Sequence, residues 1–400
     1  MAGKIHLWME DVTKARDQTI LSAAIEIPKH VRKHLWYRLP SKYAYAATEK
    51  CDPFLLATLF TAMRHSTNLF LHGQVSARLL QNLEEFQAAW HCWRPDKYPR
   101  IQIQADVECQ QHQTDNSNKA VAAFSGGLDS CFTVWRHHSN NCGRQRQNLQ
   151  AAVMVHGFDI ALGDTYAFQR AASNCKKMLK ALSIQLITIA TNFRELDNDW
   201  ENSHGAAIAS CLMLLGNGFS TGLIASSEPY NNLVLPWGTN PVTDGLMSSD
   251  TFQIIHDGAA FTRSQKVRSI SRWPQALRYM RVCWEGGQKD RNCGKCEKCI
   301  RTILNFRVAG LKLPPCFDRD VTDEQISALR GLNRAQMALC KEILSDARAA
   351  CICEQWVTAL EKCIKRNQAA GSNNKSRWRQ IAKTVGFRRH LQRLTTRVKK

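Results

Sequence analysis

Between Ala120 and Ser271 short apolar runs alternate with longer stretches whose apolar positions recur at helical spacing. The pattern predicts strands at Ala120–Phe124, Ala151–His156, Ile184–Ala190, Gly222–Ala225 and Phe252–His256. It predicts helices at Asp129–Arg136, Thr165–Leu182, Trp200–Leu215 and Arg263–Ser271. Such alternation points to a mostly parallel, doubly wound α/β sheet with helices on both faces. Ligands in such sheets bind outside the carboxyl ends of the strands, where the strand order reverses.

The flanks read differently. Residues 1–115 form an α+β module, with strands at Lys4–Met9, Thr19–Ile27, Leu69–Leu71 and Arg100–Ala105. Helices are expected at Asp52–Arg64, capped by Asp52 with Pro53 in its first turn, and at Gln74–Trp90. The polar run Gln110–Lys119 is the expected linker into a second domain over 116–310. A third segment, 311–400, is helical over 322–366 and ends in a basic tail beyond the Gly371–Lys375 linker.

Composition sharpens this picture at two points. At 44% hydrophobic and 22% charged the 400-residue chain is ordinary for a globular protein, but its net charge is +20. Thirteen Lys/Arg and one acid lie in residues 361–400, which therefore carry +12 of that charge. The excess is an appendage, suited to a nucleic acid or an acidic protein, and not a coat over the whole body. The sixteen cysteines follow an opening Met-Ala-Gly-Lys-Ile-His that has no apolar leader, so a reducing cytoplasm is expected. The longest apolar stretch, Ala206–Leu215, is too short to cross a bilayer, and no transmembrane segment is expected.

The most informative segment is Ser125-Gly126-Gly127-Leu128-Asp129-Ser130, between a predicted strand and a predicted helix. Two glycines let the backbone approach an anion, two hydroxyls add donors, and the helix presents its positive end. No Walker A sequence occurs, and Ala123 stands where a nucleophile elbow needs glycine. The motif resembles the SGGxDS signature of the PP-loop ATP pyrophosphatases. That resemblance implies that Ser125, Gly126, Gly127, Leu128, Asp129 and Ser130 hold the pyrophosphate part of ATP, with Mg²⁺. It implies cleavage to AMP and pyrophosphate, adenylation of a carboxylate or carbonyl oxygen, and displacement of AMP by a nucleophile. Asp129 and Ser130 are then expected in catalytic roles.

A second cluster, Cys283-x₉-Cys293-x₂-Cys296-x₂-Cys299, has the spacing of a four-thiolate Zn²⁺ site. Such a closed site is structural. Lys295, Lys298 and Arg301 are expected to offset the thiolate charge, and Cys316 is the alternative fourth ligand. An iron–sulfur cluster competes, although no Cys-Pro follows Cys299 at ferredoxin spacing. A PP-loop followed by this knuckle resembles the 7-cyano-7-deazaguanine synthase (QueC-like) branch over about Ala120–Gly310. The fold implied is the adenine nucleotide alpha hydrolase-like (HUP) type. Residues 1–115 and the extension after Gly310 depart from that branch. They bring the layout closer to enlarged relatives in phage-defence operons, whose acceptor is a deazapurine, a nucleic-acid base or a protein.

Several loop residues are weaker candidates. Asp159 or Asp164 is expected near Mg²⁺ or adenosine, and Glu228 follows the fourth strand of the α/β segment. In the Pro236–Asp244 loop, Trp237 is expected to stack on a planar acceptor and Asp244 to read it. Lys266 or Arg263 is expected to neutralise a phosphate or carboxylate, with Lys266 catalytic. His204-Gly205 reads as a close-packed turn. The competing functions are a tRNA-thiolating PP-loop enzyme and a non-catalytic zinc nucleic-acid binder with an ATP switch.

Overall fold

The computed structural model describes residues 3–110, 118–283 and 285–370. It divides into two compact units, Met1–Asp320 and Val321–Lys400.

The first unit begins with β1 (Ile5–Met9), β2 (Thr13–Ala15), β3 (Gln18–Glu26) and β4 (Lys33–Pro40). It continues through α1 (Asp52–Arg64), β5 (Leu69–Ser76), α2 (Ala77–Trp93) and β6 (Ile103–Cys109). Then come β7 (Ala120–Ala123), α3 (Leu128–His138), β8 (Leu149–His156), α4 (Thr165–Lys180), β9 (Gln185–Thr191) and the short α5 (Phe193–Leu196). The unit closes with α6 (Trp200–Met213), β10 (Thr221–Ala225), β11 (Gln253–Asp257), α7 (Arg263–Ile270), α8 (Pro274–Tyr279) and α9 (Glu297–Val308).

These strands form one sheet in the order β11-β10-β7-β8-β9-β4-β3-β1-β5-β6, with β2 on β3. The five strands β11 to β9 are mutually parallel, and their order reverses between β7 and β10. The boundary expected near residue 115 falls between β6 and β7, yet the two halves share the sheet. The joint is β4, antiparallel to β9 with Tyr37 opposite Thr191 and Arg38 opposite Ala190.

Helices α1, α2 and α6 make one layer, and α3, α4, α7, α8 and α9 make the other. The first layer holds the main core. There Phe60 meets Phe86, Trp90 and Tyr98 edge-on at 4.8–5.7 Å. Each such pair adds about 0.5–1.5 kcal/mol beyond its buried area.

Two local expectations are corrected. The N-cap of α1 is Cys51, not Asp52. The Asp52 carboxylate instead accepts the Ser76 N–H at 2.8 Å and the Ser76 hydroxyl. It thereby pins the end of β5 and delays α2 to Ala77. The strand continues past Leu71 because Gly73, at φ +147°, carries a register shift. A side chain there would meet the Cys51 sulfur at 2.7 Å.

In the second unit α10 (Asp323–Ala328) starts at Thr322 and α11 (Arg334–Ala349) at Asn333, each with a reciprocal capping box. A third helix spans 355–370. Asn367 ties it back by donating to the Leu329 carbonyl at 3.0 Å. The basic tail from residue 371, with its expected partners, and most of the Gln110–Lys119 linker lie outside the described residues. Among the described residues no helix is long and apolar enough to cross a membrane.

Candidate functional site

A cavity of about 290 Å³ opens at the carboxyl ends of β7, β8 and β10, beside the strand-order reversal. This volume lies near the lower end of the ~300–1,000 Å³ typical of ligand sites. Its lining includes Ser125, Asp129 and Ser130 from the glycine loop, Asp159 after β8 and Ser227 after β10. Trp200 and His204 of α6, Trp237, Arg281 and Lys298 complete its polar and aromatic walls.

The glycine loop joins β7 to α3 directly. Gly126 takes φ +75°, a conformation that favours glycine, and a side chain there would meet the Cys175 sulfur at 2.9 Å. Gly127 is the N-cap of α3. The Gly127 N–H donates to the Ser125 hydroxyl at 3.3 Å, and the Ser130 hydroxyl donates to the Gly127 carbonyl at 3.0 Å. The loop is thus folded around its own hydroxyls, with Ser125 exposed.

Asp129 is the electrostatic hub beneath it. Its carboxylate accepts from Arg263 at 2.6 Å and from Lys266 at 3.3 Å. Burial alone would raise its pKa, but Arg263, Lys266, Lys298 and Arg301 together hold it below the ordinary carboxylate value. Lys266 is 1% exposed and also donates to the Ser226 carbonyl at the end of β10. It supports the loop from behind and is absent from the cavity lining, as is Arg263.

The cations that do line the cavity are Arg281 and Lys298. Arg281, 7% exposed, donates to the carbonyls of Cys283 (3.2 Å), Lys289 (3.1 Å) and Ser125 (3.4 Å). It stands 3.7 Å from the half-exposed Asp159 carboxylate. Burial pulls the Lys298 pKa below its ordinary value, against Asp159. The sequence placed Lys298 beside the thiolates, and nothing in the pattern marked Arg281.

The sulfurs of Cys283, Cys293, Cys296 and Cys299 lie within 4.8 Å of one another. Cys283–Cys296 is 3.8 Å and Cys293–Cys299 is 3.9 Å. A regular tetrahedron of Zn–S bonds near 2.3 Å has an edge of about 3.8 Å, whereas a disulfide needs about 2.05 Å. Gly294, at φ +69°, turns the knuckle so that the N–H groups of Lys295 and Cys296 donate to the Cys293 sulfur at 3.4 and 3.3 Å. Four thiols with that donor set fit a metal ion such as zinc. Cys316 is outside the group.

The remaining candidates separate. Asp164 caps α4 by accepting from the Ala167 N–H at 3.1 Å and does not line the cavity. Glu228 is buried and accepts from the Val234 N–H at 2.8 Å, within its own loop. Asp244 is fully buried, bound by His256 at 2.8 Å and by the Asn240 N–H at 3.1 Å, and it does not line the cavity. Trp237 does reach the cavity, with its ring edge-on to His204 at 5.5 Å. His204-Gly205 lies inside α6, where a Gly205 side chain would collide with the Gly238 carbonyl at 1.9 Å. One cysteine, Cys211, lines the cavity; burial pushes its thiol up to about 12.

No family model matches the chain, and no curated protein or solved structure matches it.

Proposed function

We propose that this chain is an ATP-dependent, AMP- and pyrophosphate-forming enzyme of the PP-loop type. In this reading it adenylates a carboxylate or carbonyl oxygen of a small planar acceptor, as 7-cyano-7-deazaguanine synthase-like enzymes do. The observation that carries the reading is the Ser125–Ser130 loop, which ends the central strand β7 at the point where the sheet reverses its order. The parallel half runs 3-2-1-4-5 when counted from β7, which matches the first five strands of the doubly wound nucleotide-binding order.

Within this reading the loop N–H groups and the Ser125 and Ser130 hydroxyls bind the pyrophosphate part of ATP. Both oxygens of Asp129 are engaged by cations, so Asp159 is the lining carboxylate suited to Mg²⁺. Mg²⁺ would supply charge neutralisation at the phosphates. The acceptor oxygen attacks the α-phosphorus, pyrophosphate leaves, and a nitrogen nucleophile then displaces AMP. Trp237, Trp200 and His204 offer flat apolar surface for the acceptor and exclude water. Zinc in the Cys283–Cys299 knuckle would be closed to substrate and structural. The thiolation alternative needs a sulfur-carrying cysteine or an iron–sulfur cluster, and burial disfavours the thiolate of Cys211, the cysteine that lines the cavity.

The test is incubation with labelled ATP, Mg²⁺ and 7-carboxy-7-deazaguanine, with AMP and pyrophosphate measured. Acid-dependent AMP release that Ser130→Ala abolishes supports the reading and its acceptor class. AMP release without the acid keeps the chemistry and moves the acceptor to protein or nucleic acid. ADP as the product overturns it.

A further inference from the structure

We propose that Arg281 and Lys298 form an oxyanion subsite in the cavity, for a phosphate or carboxylate group, and that the metal knuckle sets their spacing. This rests on reading the cavity as the reaction chamber.

Cations outnumber carboxylates around the cavity. Five cations surround the site: Arg263, Lys266, Arg281, Lys298 and Arg301; three carboxylates answer them: Asp129, Asp159 and Glu297. Arg263 and Lys266 share Asp129, and Arg301 takes Glu297 at 2.6 Å. Asp159 alone is left opposite Arg281 and Lys298, and its side chain is 39% exposed. A zinc-loaded knuckle would add two negative charges beside Lys298, but on the cavity side the carboxylate that meets the two cations is the exposed Asp159, so this wall suits an anionic ligand.

One donor group is free for such a ligand. Arg281 spends its terminal nitrogens on three carbonyls, while its buried Nε has no partner. The Lys298 ammonium lines the same cavity and forms no ion pair or hydrogen bond among the described residues. An unpaired ammonium on a cavity wall, with a guanidinium held in place beside it, is suited to an oxyanion.

Both cations hang on the metal ligands. Arg281 is two residues before Cys283 and donates to its carbonyl. Cys296 is the N-cap of α9, and Lys298 follows in the first turn, next to Cys299. Closing four sulfurs on one ion therefore fixes the spacing of the two backbone segments that carry the guanidinium and the ammonium. The Arg281 bond to the Ser125 carbonyl extends that brace to the glycine loop.

The experiment is calorimetric titration of the zinc-loaded full chain with two probes, inorganic pyrophosphate and 7-carboxy-7-deazaguanine. Lys298→Met should weaken one probe about ten- to hundredfold, the worth of a charge-assisted hydrogen bond, and Lys298→Arg should restore most of it. Zinc content and melting temperature should stay unchanged. Loss for pyrophosphate assigns the subsite to phosphate, and loss for the acid assigns it to the acceptor. Binding of both probes unaltered by Lys298→Met overturns the proposal, as does a parent chain that binds neither. A chain that binds pyrophosphate through Lys298 but releases no AMP keeps the subsite and overturns the enzyme reading. Cys299→Ser should weaken the same probe; because it risks misfolding, Lys298→Met with full zinc decides.

Discussion

Replacing Asp129 by Asn removes one negative charge from beneath the glycine loop and leaves its size intact. Arg263 and Lys266, with side chains 3% and 1% exposed, then lose that counter-charge. Removing one partner of a buried ion pair typically costs about 3–5 kcal/mol, because the remaining charge stays desolvated. The unit carrying the site spans 320 residues, so at about 2.1 cal/mol/K per residue its unfolding entropy is near 0.7 kcal/mol/K. The expected fall in melting temperature is therefore about 5–7 °C. Scanning calorimetry reads it, with Ser125→Ala as the control; that exposed hydroxyl should shift the transition by less than about 1 °C. The double variant Asp129→Asn/Lys266→Met should recover part of the loss, since removing both partners is milder than removing one. An Asp129→Asn protein melting within about 1 °C of the parent would refute the argument that this carboxylate holds the buried cations.

Other consequences are checked independently. Purified chain should carry about one zinc per molecule by elemental analysis; Cys296→Ser should lose it, and a strong chelator should lower the melting temperature of the parent. Asp129 and Asp257 are both held below the ordinary carboxylate pKa, against the penalty of burial. Their stabilisation is thus fully present above the unfolded-state value of about 3.9 and is lost as pH falls toward the folded values. Urea midpoints should hold from pH 7 to about 5 and drop below about 4, and Asp129→Asn should flatten part of that drop. Gly205→Ala forces a methyl onto the Gly238 carbonyl and should destabilise by at least about 1–3 kcal/mol, read by urea unfolding.

The parallel half of the sheet was legible because its strands are short apolar runs between helices of regular period. Predicted and observed limits of β8, β9, β10 and β11 differ by a residue or two at most ends. The run Val31–Pro40 was not read as a strand, because Lys33 falls on the face where Leu35, Tyr37 and Leu39 are buried and Trp36 falls among the basic residues of the other face, which blurs the alternation. Yet that run, as β4, joins the two halves of the sheet, a long-range pairing that local pattern does not encode. The glycine loop and the knuckle were legible because their residues are close in sequence. Arg281 and Lys298 were not, since a cation's meaning depends on which cavity the fold turns it toward. Lys266 shows the converse: helix-start chemistry suggested a ligand contact, and packing made it a buried strut for Asp129.

The central claim is that ATP is cut between its α- and β-phosphates at the Ser125–Ser130 loop. The most direct measurement is a single-turnover reaction with α-labelled ATP, Mg²⁺ and the carboxylate acceptor, resolved for AMP, ADP and pyrophosphate. The account predicts AMP and pyrophosphate in equal amounts, abolished in Ser130→Ala with its zinc intact and its melting temperature lowered by no more than about 2 °C, the worth of its bond to the Gly127 carbonyl. ADP and inorganic phosphate, or equal AMP release by Ser130→Ala, would contradict it.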